Sequence, residues 1–398
     1  MKKQLFITFF ILLFLFAGTT LVVFYGRGYR FGFEKGKLGL SGTGLLVATS
    51  TPDGAEVFIN GHLTTATNNT IDLAPSDYTV RIFKEGYFPW GKKIKIQKEV
   101  VAKAEALLFP SAPKLENITA TGVENPVLDP SMTKIAYTVT SQSARKNGVY
   151  VLDMSSRPIL TLQSASSQIA DDTLDLFSKA TLSWSPDGQE LVATISAQSR
   201  TPATYLLNAN TFNQNPRDVT ETLLTVQALW EKDRTEKEKA VLGTLKQDLR
   251  KIISTNFRII AWSTDETKIL YEASQSATLP LIIKPRLLGT NSTPEERAIK
   301  KGFVYIYDLK EDKNFKILDS LPESQLSLGW FPDSKHIIFV HDKKIDIVEY
   351  DGINTTTVYA GPFFDNYVFP WPNASKLVIL TNLGNPNIAP NLYTVGLK

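Results

Sequence analysis

The chain has 398 residues, 43% hydrophobic and 11% aromatic, which is ample for several apolar cores and argues against wholesale disorder. A formal net charge of +3 leaves no electrostatic footprint for a nucleic-acid partner. The absence of cysteine excludes disulfide staples, thiolate metal sites and cysteine nucleophiles, and three histidines (His62, His336 and His341) speak against a multi-histidine metal site.

The first element is an apolar run. Residues 1–4 form a short basic tail, and Leu5 to Tyr25 follow without a single charge. About 20 residues at ~1.5 Å rise cross a ~30 Å hydrocarbon core, so 5–25 is expected to be a transmembrane signal anchor. A cleaved signal peptide is the competing reading, but its apolar region would be only ~7–15 residues long. The nearest small-residue cleavage site, Ala17-Gly18-Thr19, lies inside the run. Lys2 and Lys3 favour a cytoplasmic amino terminus, while Arg27, Arg30, Lys35 and Lys37 nearly balance them on the other side. Repeated β domains of the kind found downstream are commonly exported in bacteria, which places the bulk of the chain outside the cytoplasm. Residues 26–44, rich in glycine and aromatic residues, read as a membrane-proximal linker.

From Leu45 the apolar period changes to two. Leu45–Thr49 and Ala55–Ile59 read as strands joined through Pro52-Asp53-Gly54, and Asn60-Gly61 is a hairpin signal. Thr70–Leu73, Tyr78–Phe83, Lys92–Ile96 and an alternation over Val100–Leu108 follow. A set this short makes a small sandwich whose core needs its aromatics. Pro52-Asp53-Gly54-Ala55-Glu56-Val57-Phe58-Ile59-Asn60-Gly61, then Tyr78-Thr79-Val80, Gly86-Tyr87 and Trp90, resemble a PEGA domain over residues 45–110. The stretch departs from the family only at Pro75-Ser76-Asp77, where a Pro-Gly-Glu type turn is usual. The resemblance implies a surface-located, immunoglobulin-like, non-enzymatic β module. Tyr87 and Trp90 are expected as core or rim aromatics rather than as a carbohydrate-stacking platform.

Beyond Pro113 one unit recurs: strand, tight turn, strand. Leu182-Ser183-Trp184-Ser185-Pro186-Asp187-Gly188 runs into Leu191–Thr194, and Trp262-Ser263-Thr264-Asp265 into Lys268–Tyr271. Trp330-Phe331-Pro332-Asp333 runs into His336–Phe339, Trp371-Pro372-Asn373 into Leu377–Leu380, and Leu128-Asp129-Pro130 into Lys134–Tyr137. No single hairpin buries its own apolar face, so the copies must stack. Third strands are read at Gly148–Asp153, Thr204–Asn208, Phe303–Leu309, Lys344–Val348 and Asn391–Val395, and fourth strands at Ile159–Leu162, Phe315–Leu318 and Thr356–Tyr359. These copies resemble the TolB-type, WD-like propeller repeat, and residues 113–398 are therefore expected to be a β-propeller. Pro113–Thr119 reads as an orphan fourth strand completing the last blade, which gives five blades and removes the open edges. A sixth, degenerate blade is the alternative that the spacing permits, because Trp184 and Trp262 are 78 residues apart and Trp262 and Trp330 are 68 apart, against the usual ~40–45.

Those excess lengths are read as insertions. In residues 221–254, Leu223, Val226, Leu229 and Trp230 keep helical spacing, and Val241, Leu242, Leu245, Leu249 and Ile252 resume it after the charged run Glu231–Lys239. That run is expected to be a solvated face or a connection between two helices. Residues 276–302, with Pro280, Pro285 and Pro294, read as a long loop. A partner site is sought first where the two insertions meet; that they merely cover a rim is the plainer reading.

Reactive motifs are missing. No Gly-x-Ser-x-Gly elbow or phosphate loop occurs, and Asp171, Asp172 and Asp175 lack the spacing of a calcium loop. His336 and His341 are expected in packing or surface roles, and the repeat tryptophans in the packing between blades. No catalytic, cofactor or metal residue is assigned. The expectation is a non-enzymatic, membrane-anchored surface protein whose PEGA-like spacer presents a propeller to a protein or envelope polymer, with no nucleic acid and no cofactor. An envelope hydrolase or lyase working in the channel, and a cell-wall carbohydrate binder, are the alternatives.

Overall fold

The computed structural model describes residues 2–26, 29–34, 37–155, 166–196, 202–321 and 328–398. Helix α1 (Lys2–Gly26) carries a 21-residue stretch, Phe6–Gly26, long and apolar enough to cross a membrane by length and composition. Two of its hydroxyls are satisfied within the helix, Thr19 donating to the Leu15 carbonyl at 2.8 Å and Thr20 to Phe16 at 2.7 Å. A lipid-exposed helix requires such internal partners. Beyond it the chain forms a hairpin of β1 (Tyr29–Glu34) and β2 (Lys37–Gly42), where a plain linker was expected.

The chain divides into two compact units, residues 1–111 with 283–295, and residues 112–282 with 296–398. Unit 1 contains β3 (Gly44–Thr51), β4 (Glu56–Ile59), β5 (His62–Ala66), β6 (Asn69–Leu73), β7 (Ser76–Phe83), β8 (Trp90–Ile96) and β9 (Val101–Leu107). They form a four-stranded sheet, β5-β4-β7-β8, and a three-stranded sheet, β6-β3-β9, in which β3 and β9 run parallel. Asn60 and Gly61 take positive φ, 50° and 84°, as the hairpin turn between β4 and β5 requires. The core is made by the inward positions of both sheets, among them Leu46, Val57, Val80, Ile82, Ile94 and Ala104. Trp90 is 4% exposed within it and Tyr87 packs against it, so both are core aromatics.

The middle of the second insertion belongs to this unit rather than to the repeats. Ser292 Oγ accepts from the Lys95 amide at 3.0 Å, and the Gly289 amide donates to Gln97 Oε1 at 3.0 Å. β8 is an edge strand, and this segment satisfies part of the edge that would otherwise face water. Gly289 sits at φ +68°, and a Cβ there would lie 2.7 Å from Val100, so the close approach needs glycine.

Unit 2 contains five four-stranded sheets among the described residues. Sheet I is Glu124–Leu128, Lys134–Val139, Gly148–Asp153 and Ser166–Asp171; sheet II is Ala180–Trp184, Glu190–Ile195, Ala203–Asn208 and Arg217–Asp218. Sheet III is Phe257–Trp262, Lys268–Ala273, Val304–Asp308 and Lys313–Leu318; sheet IV is Leu328–Trp330, His336–His341, Lys344–Glu349 and Thr356–Ala360. Sheet V is Val368–Pro370, Lys376–Thr381 and Asn391–Gly396, with Leu115–Asn117 as its fourth strand. The orphan strand thus pairs with the last one, Glu116 lying opposite Thr394. The segment expected as the fourth strand of sheet I, Ile159–Leu162, lies outside the described residues; the strand observed in that place is Ser166–Asp171.

Apolar clusters join neighbouring sheets. Ala136, Val149 and Val151 of sheet I pack with Leu182, Trp184 and Leu191 of sheet II; Ile135 and Leu152 of sheet I pack with Phe369 and Val378 of sheet V. Leu270 and Ile306 of sheet III meet Leu328, Trp330 and Ile337 of sheet IV. Sequential antiparallel meanders that pack face to face, with the first strand lent to the last sheet, are the organisation of a β-propeller. Between sheets II and III the chain forms α2 (Leu223–Gly243) and α3 (Gln247–Asn256). The charged run is therefore continuous helix, and the connection falls later, at 244–246.

Candidate functional site

In four of the repeat turns a serine or aspartate side chain closes the hairpin. In sheet II, Ser185 Oγ donates to Asp187 at 2.6 Å and accepts from the Glu190 amide at 3.0 Å. In sheet III, Ser263 Oγ bonds Asp265 at 2.7 Å and accepts from the Lys268 amide at 2.9 Å. Asp129 does both jobs in sheet I, accepting from the amides of Thr133 and Lys134 at 2.7 and 2.6 Å. In sheet IV, Asp333 accepts from the amides of Lys335 and His336 and meets His336 Nδ1 at 2.6 Å. The carboxyl of Asp187 is held below the usual range, first by Ser185 and then by the Gln189 amide. Burial would raise those of Asp265 and Asp333, but their hydrogen-bond donors, Ser263 and His336 foremost, carry both below it. These aspartates lock hairpins.

The same turns fix the register of the tryptophans. Residues 132, 188, 266, 334 and 374 all have positive φ, between 54° and 68°. Aligned on that corner, Pro370 stands in the tryptophan's place and Trp371 one residue later, so Trp371 is not equivalent to the others. Its amide donates to the Lys376 carbonyl, as that of Ser185 does to Glu190. Trp184 donates through Nε1 to the Val127 carbonyl at 3.0 Å and Trp330 to that of Ala261 at 3.2 Å, each stitching its sheet to the one before. Trp262 is half-buried and packs with α3 in the cluster of its own sheet.

Two of the three histidines lie at the ends of one strand, His336–His341. His336 is buried beside Asp333. His341 is part-exposed, its Nε2 at 2.8 Å from Asp346 and its Nδ1 at 3.2 Å from Asp342, with its ring stacked on Phe339 at 4.6 Å. The Asp346 bond, reinforced by Asp342, raises its pKa against the opposing effect of burial. Thr357 holds the other oxygen of Asp346 at 2.7 Å. In sheet III, Asp312 accepts from Arg297 and Tyr307 and from the Ile282 amide, while Tyr271 donates to Asn314 at 2.7 Å. Among the described residues no group of three His, Cys, Asp or Glu side chains could hold a metal ion.

The two insertions do meet. Leu249, Ile252 and Ile253 of α3 pack with Leu279, Ile282 and Ile299 in one cluster on sheet III, so the meeting place is a filled core. The open feature lies instead beside α2. Val226 and Trp230, one helical turn apart, bury against Val192 and Leu206 of sheet II and Val219 just beyond its last strand. Next to Trp230 a cleft of about 280 Å³ is lined by Ser183, Val192, Gln227, Glu231 and Arg234. The spacing of Val226 and Trp230 was visible in the sequence; the partners that complete the cleft come from strands paired across a turn, Ser183 opposite Val192.

Fold and surfaces together define a mainly β protein with an apolar amino-terminal helix, a small sandwich and stacked four-stranded meanders of the propeller kind. Residues 43–110 match the PEGA domain family. No curated protein sequence is similar enough to the chain to count as a match. Among solved structures, a protein assigned as TolB from Agrobacterium tumefaciens is 14% identical, with 72% of this chain and 92% of that one covered at a TM-score of 0.23. TolB from Acinetobacter baumannii is 14% identical over 80% of this chain and 60% of that one, TM-score 0.23. The Cps50 (Swd1) β-propeller domain of Myceliophteria thermophila is 7% identical over 72% of this chain and 100% of that one, TM-score 0.28. At these values the likenesses say nothing of what this chain binds or does.

Proposed function

We propose that the chain is a membrane-anchored, non-enzymatic binding protein with its bulk outside the cytoplasm. α1 holds it in the bilayer, the PEGA domain is the spacer, and a five-bladed propeller closed by Leu115–Asn117 presents α2 and its cleft to a protein or envelope-polymer partner. The observation that carries this reading is the state of α2 between residues 231 and 240, where every residue but Thr235 is exposed. Packing on sheet II explains the first two turns of that helix and not the rest, and a helix polar all round needs another reason to persist. The hydrolase alternative needs acids and bases converging at one mouth. The engagement of the clustered aspartates in their own turns supports binding over chemistry.

A photo-crosslinking amino acid at Gln227 or Glu231, in cells, tests the partner site. A discrete adduct is expected from these positions and none from Lys251 on the exposed face of α3; equal smears from all three would sink the assignment. Removing residues 1–26 is expected to move the remainder to the soluble fraction, read by alkaline extraction of membranes.

A further inference from the structure

We infer that the outer face of the β5-β4-β7-β8 sheet is a docking surface for anionic phospholipid headgroups, an inference that rests on the anchoring proposed above. One row crosses the whole sheet: Leu63 opposite Phe58, Phe58 opposite Arg81, and Arg81 opposite Gly91. Leu63 is 61% exposed. The Arg81 guanidinium stands 5.5 Å from the Phe58 ring and 5.1 Å from the Phe83 ring, and no carboxylate pairs with it among the described residues. Rings that hold a guanidinium by its faces leave its N–H edges for an anion. Because Gly91 has no side chain, a trough of about 460 Å³ opens beside Arg81, lined also by Thr79, Pro89 and Lys93.

Charge is distributed unevenly over the sandwich. On β8, Trp90, Ile94 and Ile96 point inward while Lys93 and Lys95 are exposed. On that outer face Arg81, Lys93 and Lys95 of β7 and β8 stand against Glu56 and Asp77, Lys92 lying in the inward register of β8, whereas the exposed charges of β6 and β9 are Asp72, Glu105 and Lys103, the last two paired at 3.5 Å. The first face therefore carries an excess of basic groups next to an exposed apolar side chain, the combination that suits a headgroup layer.

Distance to the bilayer follows from the hairpin. α1 ends at Gly26, and Tyr29 pairs with Gly42, so the β1–β2 excursion returns to where it began. The maximum reach of the chain from Gly26 to Tyr29 and from Gly42 to Gly44, with one strand spacing between, puts the start of β3 no more than about 25 Å from the helix end. Gly44 lies against the Gln97 carbonyl and Ile96, so the lysine-bearing end of β8 is beside that start. Attraction screened over ~8 Å acts only where this face lies against the headgroups, and a tether of that length lets it do so.

The test uses the full chain reconstituted into phosphatidylcholine vesicles with or without phosphatidylglycerol, with acetylation of lysines by a water-soluble reagent read by mass spectrometry. Labelling of Lys93 and Lys95 is expected to fall about fivefold on the anionic vesicles and to recover at high salt, with Lys103 unchanged, each basic group near the surface contributing about that factor. Arg81→Glu with Lys93→Glu should abolish the difference while circular dichroism stays constant. Equal labelling on both vesicles overturns the inference, as does equal protection by soluble polyphosphate on neutral vesicles. Alkaline washing separates the two readings: protein released from the vesicles refutes the anchor, whereas protein retained with Lys93 unprotected refutes only the docking face.

Discussion

Gly188 and Glu266 occupy the same backbone corner with opposite consequences. Both have positive φ, 68° and 54°, and only glycine adopts that region without steric cost. At Gly188 a Cβ would also stand 3.0 Å from Asp129 Oδ2 of the preceding sheet. Gly188→Ala is expected to lose about 1–2 kcal/mol, and the exposed Glu266→Gly to gain about 0.5–1 kcal/mol, both read from urea midpoints at constant slope. His341 supplies the pH dependence. Its folded pKa is raised by Asp346 and Asp342, so its contribution is fully present below the ordinary histidine value and fades as pH rises through the higher folded one. Asp346→Asn should bring the His341 titration midpoint, followed by NMR, back down. Asp187 and Asp265 have the opposite sign: their lowered values stabilise above the ordinary carboxylate range and are lost as acid protonates them.

At the scale of elements, the covered edge of β8 is the point to probe. Replacing residues 283–295 by a short Gly/Ser link removes the Ser292 and Gln97 bonds and bares the strand edge. The expected outcome is a shift toward dimers and larger species in analytical ultracentrifugation, with strand content unchanged; a monodisperse monomer would show that the edge needs no cover. The sequence marked residues 276–302 as an insertion but not what its middle covers, since its partner is far away in the chain and its contacts are single hydrogen bonds without a period. β5 was missed for a related reason: His62-Leu63-Thr64-Thr65-Ala66 is almost wholly exposed, so no alternation marks it. The inner strands of the repeats were legible because each buries one side of a hairpin, and the capping strand Leu115–Asn117 because closure demanded one. Trp371 misled because a conspicuous ring outweighed the turn corner at Ala374, which is what sets register. The cleft beside α2 was half legible: helical spacing gave Val226 and Trp230, but which sheet residues face them is a property of the assembled fold.

For the whole molecule, the decisive bonds are those between the two ends of unit 2. Asn391 is buried, and its Oδ1 accepts from Thr119 Oγ1 at 3.1 Å and from the Gly122 amide at 3.0 Å, while the Leu392 amide donates to Thr119 Oγ1 at 2.9 Å. A strand of three residues, Leu115–Asn117, all exposed, brings little apolar burial of its own. Its hold on sheet V therefore depends on this polar knot and on Ile118, which packs into the cluster between sheets I and V. Asn391→Ala leaves two donors without their acceptor and is expected to cost about 2–4 kcal/mol. Thr394→Val, which loses only a 3.5 Å bond to the Glu116 carbonyl, should cost under about 1 kcal/mol. Limited proteolysis distinguishes release of the end from general loosening. If the terminal strand is what binds the unit together, the Asn391 variant is cut first between residues 112 and 122, before any loop within sheets I to IV, and the Thr394 variant behaves as wild type. Cleavage spread evenly over the unit would mean that the packing between sheets holds it without help from its ends.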